Sequence, residues 1–134
     1  MSLWDVGRSG NSSPKVRQYQ WKLDERVFVT IDANGNGTGQ LSPQGARERW
    51  TINFVAVSVT GTPPTSLLVP QMVLYRSAAV PGNQLAGTYN AALDADTQGV
   101  YNLNMSEPVL FVFSGGFPGS IGNVHIEGVR YVWE

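Results

Sequence analysis

Residues 49–60 read Arg-Trp-Thr-Ile-Asn-Phe-Val-Ala-Val-Ser-Val-Thr. In an extended chain successive side chains alternate, so Trp50, Ile52 and Phe54 share one face and Thr51 and Asn53 the other. From Phe54 onward both faces are apolar or small, as in a strand buried on both sides. Gly61-Thr-Pro-Pro-Thr then breaks the run. This is the strongest strand of the chain.

Further strands on either side show the same chemistry. Arg26–Ile31 is β-branched and aromatic, and Asp32-Ala-Asn-Gly-Asn-Gly-Thr-Gly after it is dense turn material. Gly39–Ser42 reads as a short return strand and Gln71–Arg76 as another strand. Gly87–Asn90 and Gly99–Leu103 flank an acidic loop at Asp94 and Asp96. Pro108–Ser114 and Asn123–Trp133 complete the set. No helix of useful length is credible, because Pro64, Pro70, Pro81, Gly82 and Gly87 interrupt the candidate segments. Short strands with turn signals roughly every 8–12 residues mean an all-β sandwich or barrel. About eight of them suit a jelly roll. The expected fold is a single antiparallel β-sandwich, jelly-roll-like, over residues 25–134. Within the last strand, Val124 and Ile126 alternate with His125 and Glu127. After Gly128 the apolar phase flips to Val129, Tyr131 and Trp133. A glycine at a phase change predicts a bulge at or next to Gly128.

Composition restricts the chemistry. The chain has 134 residues, no Cys, one His and 14% charged residues, with a formal charge of −1. Ordinary soluble domains carry roughly 25% charged residues. Without Cys there is neither a disulfide framework nor a thiolate zinc site. One His rules out a His-rich metal site. Near-neutral charge argues against direct nucleic-acid binding. The N-terminus lacks the basic and apolar regions of a signal peptide, and no apolar run approaches the about 20 residues of a membrane helix. The expectation is a chain made in a cytoplasm, neither exported by the general route nor inserted in a membrane.

Residues 1–24 differ from the rest of the chain. They hold a Ser/Asn cluster, Gly7, Gly10 and Pro14, yet also Trp4, Tyr19 and Trp21. Segments that stay unfolded are poor in aromatics. The segment is therefore expected to be an extended N-terminal arm that docks on a neighbouring subunit, with Trp4, Tyr19 and Trp21 as anchors. Five of the nine basic residues (Arg8, Lys15, Arg17, Lys22, Arg26) lie in the first 26 positions. The remaining four face seven acidic residues, so a mildly basic arm precedes a mildly acidic body.

Few constellations carry chemistry. Asp32, Asn34 and Asn36 with Gly37 match the first half of a calcium loop. The twelfth position is Pro43 instead of a bidentate Glu, so a β-turn is the stronger expectation and calcium the weaker. Asp94 and Asp96 form an acidic pair without a partner at recognisable spacing. His125 shares a face with Glu127, a potential acid/base pair with no nucleophile motif beside it. Ser114-Gly115-Gly116 lacks the Lys and helix of a phosphate loop. Tyr75, Tyr89 and Tyr101, with Trp50, Tyr131 and Trp133, offer sugar-contacting aromatics, although such residues also serve ordinary strand packing. No catalytic residue and no cofactor is expected.

The succession Pro43-Gln-Gly45, Arg49-Trp50-Thr51, Val73–Arg76, Gly87-Thr88-Tyr89, Glu107-Pro108, Ser114-Gly-Gly and an aromatic last strand resembles small β-sandwich proteins of tailed bacteriophages, particularly phages of actinobacteria. The resemblance spans about residues 26–133 and rests on strands and turns, not on a catalytic motif. It implies a non-enzymatic virion structural protein, a capsid decoration or minor tail-tip component. Its partners would be its own copies, as a trimer, and major capsid or tail proteins. The alternative expectation is a carbohydrate-binding module that contacts host glycans.

Overall fold

The computed structural model describes residues 17–45, 47–88, 95–103 and 107–134. Eight strands form: β1 (Gln18–Thr30), β2 (Gly37–Leu41), β3 (Glu48–Thr60), β4 (Gln71–Arg76), β5 (Gln84–Thr88), β6 (Ala95–Leu103), β7 (Val109–Ser114) and β8 (Ile121–Trp133). A single 3-10 turn at Pro81–Asn83 is the one helical element among the described residues, and none is long and apolar enough to cross a membrane. The strands build two four-stranded antiparallel sheets, ordered β1-β8-β3-β6 and β2-β7-β4-β5. Only β4 and β5 are sequence neighbours within a sheet; every other connection crosses to the opposite one. This is the strand order of an eight-stranded jelly roll.

The alternation seen in the sequence decides which side chains meet between the sheets. Val29, Val55, Val57, Val124 and Ile126 of the first sheet face Met72, Leu74, Val109, Phe111 and Phe113 of the second, all buried. Gly122 lets Phe113 lie against the backbone of β8: a Cβ there would stand 2.5 Å from the ring. Interiors this tightly fitted tolerate little change in volume.

The expected irregularity at Gly128 exists, but on the neighbouring strand. β8 pairs with β1 without interruption from Ile121↔Thr30 to Trp133↔Gln18, passing Gly128↔Leu23. Against β3 the register shifts between Ile52↔Gly128 and Phe54↔Glu127, which leaves Asn53 as the extra residue. The phase change therefore belongs to β3. Trp50 and Ile52 point inward before it and Val55, Val57 and Val59 after it, while Phe54, expected beside Ile52, is on the outer face. Gly128 is required for another reason than the one anticipated. The bulge brings the Thr51 carbonyl oxygen onto the place a Cβ would occupy.

A second correction concerns the arm. Gln18–Asp24 are not outside the domain; they pair with β8 over Trp133–Glu127. Residues 1–16, including Trp4, lie outside the described residues. β1, β3 and β8 have 13 residues each, against five or six in β2, β4, β5 and β7. At about 3.3 Å per residue the first sheet runs past the second by roughly 20 Å. The result shows on β1: Leu23 and Val29 are buried, whereas Trp21, on the same face, is 58% exposed.

Candidate functional site

The outer face of the longer sheet gathers the polar side chains. Antiparallel register sets Asp24 opposite Glu127, Arg26 opposite His125 and Phe28 opposite Asn123. From the other side β3 brings Ala56 opposite His125 and Ser58 opposite Asn123. Ala56 and Ser58 are small, and between their taller neighbours they leave a depression of about 390 Å³. Arg26, Phe28, Asn123 and His125 line it, and Phe28 is 69% exposed. The Asn123 amide donates toward Ser58 Oγ at 3.3 Å and Thr60 Oγ1 at 3.4 Å, which fixes that wall.

At one end of the depression, side chains of two strands converge on one ring nitrogen. His125 Nε2 lies 2.7 Å from Asp24 Oδ1 and 3.3 Å from Glu127 Oε2. The Phe54 ring meets the imidazole edge-on, with centroids 6.3 Å apart and planes at 77°. The hydrogen bond from His125 holds the Asp24 carboxyl below its ordinary value of 3.8. Partial desolvation works against this, and the charges of His125, Lys22 and Arg26 add to it. Both neighbours of the imidazole nitrogen are carboxylates, not a hydroxyl it could activate.

The other expected site residues are dispersed. Tyr19 and Trp21 are exposed on β1, and the Tyr19 hydroxyl donates to Glu134 Oε2 at 3.2 Å. Tyr75 is on β4 of the second sheet and Tyr101 on β6 of the first, so they share no strand face; Tyr89 is outside the described residues. Trp50 is buried and donates Nε1–H to Glu48 Oε2 at 2.6 Å. Tyr131 and Trp133 face outward, with the Arg49 guanidinium 5.2 and 5.3 Å above their rings. Asp32 closes its own turn. Its Oδ1 accepts from the backbone N–H of Asn34 at 2.8 Å and of Asn36 at 2.9 Å, and Gly35 takes φ +84°. That turn links strands of opposite sheets, not a hairpin. Asp96 lies within β6, not in a loop, and Asp94 is outside the described residues. Ser114–Gly116 leads from β7 into a connecting loop, where Gly116 N–H binds Gly35 O at 2.9 Å.

Sequence reasoning placed His125 and Glu127 on one face but missed Asp24, having assigned it to the arm. The missing signal was present. Tyr19, Trp21 and Leu23 alternate with polar residues in phase with Val27 and Val29. That pattern extends β1 back to Gln18 and sets Asp24 on the opposite, outer face. No family model matches the chain, and no curated protein is similar to it in sequence.

Proposed function

We propose that the chain is a non-enzymatic structural protein of a tailed-bacteriophage virion, a capsid decoration or minor tail component. It assembles in repeated copies, as a trimer, through its jelly roll and the segment before β1. It is made in the host cytoplasm and meets major capsid or tail proteins on the particle. The observation that carries this reading is Trp21. It stands on the core-facing side of β1 with most of its surface open, beyond the reach of the second sheet. Tyr19 lies two residues away on the same face and Arg130 directly across the ladder. Trp, Tyr and Arg are the residues that dominate protein–protein hot spots. A jelly roll is moreover one of the architectures from which viral coats are built.

Two measurements test it. Sedimentation velocity of the full chain should give an oligomer that Trp21→Ser shifts towards monomer. Deletion of residues 2–16, which spares β1, should lower incorporation into particles. A monomeric parent protein, or particle incorporation indifferent to both changes, would refute the reading.

One observation favours carbohydrate binding as a second reading. The depression between Phe28 and His125 combines an exposed ring with the Arg26 guanidinium, an apolar face beside a donor of the kind a sugar ring uses. It is not the aromatic trio expected from the sequence. Cell-wall and surface glycan arrays that stay blank with the parent protein would dispose of it.

A further inference from the structure

We infer that Asp24, His125 and Glu127 form a binding site for a divalent transition metal of the zinc class. One ring nitrogen of His125 is within hydrogen-bond range of two carboxylate oxygens from different residues. A single N–H proton points well at only one of them, whereas a cation among the three satisfies all. The three ligand atoms lie within 4.8 Å of one another.

The spacing suits metal bonds. Zinc binds imidazole nitrogen and carboxylate oxygen at about 2.0–2.2 Å, so two tetrahedral donors stand about 3.3 Å apart. His125 Nε2 and Glu127 Oε2 are already 3.3 Å apart. Asp24, at 2.7 Å, must withdraw by about half an ångström. Its side chain is 44% exposed and has room to do so. The scaffold is firm. His125 and Glu127 are two residues apart on β8, which is bonded to β1 on one side and β3 on the other. Asp24 is directly opposite Glu127, and Phe54 abuts the imidazole. Three protein ligands on an open sheet face leave at least one coordination position to solvent, beside the depression. The donor set also indicates the kind of metal. Calcium and magnesium favour all-oxygen shells, while imidazole with carboxylates suits zinc and its first-row neighbours.

The chain has one histidine, so its imidazole NMR signals report this site alone. Untagged full-length protein, stripped with a chelator, is titrated with zinc chloride while these signals and the protein-to-zinc ratio are followed. Saturable one-to-one shifts of the His125 ring nitrogen are expected. In the double variant Asp24→Asn/Glu127→Gln, which keeps shape and loses charge, affinity should fall roughly tenfold or more. Millimolar calcium should leave the zinc-bound signals in place. The inference is overturned if the ring signals do not move up to about 1 mM zinc. Equal affinity in the double variant, or displacement of zinc by calcium, overturns it as well. Unchanged dispersion of the backbone amide spectrum shows that the variant is folded.

Discussion

Val29 and Trp21 occupy the same face of the same strand, eight residues apart, and are 5% and 58% exposed. Above Leu23 the inner face of the long sheet is aliphatic apart from half-buried Glu25, opposite Ile126, and is roofed by the second sheet. Below it Trp21, Tyr19, Trp50, Arg130 and Glu48 set aromatic and charged groups around a single aliphatic residue, Val132. Identical alternation thus produces a core in one half and a semi-open shelf in the other. The periodicity says which way a side chain points; only the extent of the opposing sheet says whether it is covered. The upper half should therefore answer to stability measurements and the lower half chiefly to association.

The sharpest way to break the contrast is in the roofed half. Phe113→Ala removes a fully buried ring that lies on Gly122, and urea unfolding should register a loss of about 3–5 kcal/mol. Where the halves join, Gly128→Ala drives a methyl group into the Thr51 carbonyl. A loss of about 3 kcal/mol, accompanied by amide shifts along β3, would show that the bulge cannot relax. On the covered edge of the shelf, Trp50→Phe leaves the buried Glu48 carboxylate without its 2.6 Å donor. The expected cost is about 1.5–3 kcal/mol by the same unfolding midpoint. Trp21→Ser should change the unfolding of dilute protein by less than about 1 kcal/mol while reducing self-association. A large stability loss there would mean the shelf is roofed after all.

The smallest expected effect is on the outer face, which belongs to neither half. Asp24 has a depressed carboxyl pKa, so its contribution to stability is present above pH 3.8 and is lost as pH falls below that value. In His125→Ala the Asp24 titration, followed by carboxyl carbon shifts, should move up towards 3.8. An unmoved midpoint would mean that the 2.7 Å contact is not the cause.

Much of the architecture is visible in single segments. Gln71–Arg76 is a strand with the expected bounds, and β3 and β7 differ by a residue at an end. What escaped is what depends on pairing. From the sequence β1 begins at Arg26, because Glu25 stands between Leu23 and Val27 and interrupts the apolar face that Tyr19, Trp21 and Leu23 begin. β6 reaches back to Ala95 through a stretch whose Asp and Gln do not look like strand. A bulge alters the phase of one strand relative to another, so from β8 alone it could not be assigned to Asn53 of β3. The same limit applied to the site. His125 and Glu127 are neighbours in the chain and were seen together, but Asp24 is 101 residues from His125 and is brought there by register alone.

The strand order also carries a consequence in time. β8 lies between β1 and β3, and those two strands share no ladder with each other. The first strand of the sandwich must therefore wait for the last before it gains a hydrogen-bonded partner. Closing so long a loop is entropically costly before any contact rewards it, which slows folding. During synthesis β1 is an unpaired edge carrying Trp21 and Phe28 until β8 has left the ribosome. Survival of the nascent chain then rests on the charges that interrupt that edge, Lys22, Asp24 and Arg26, which discourage pairing with the wrong partner.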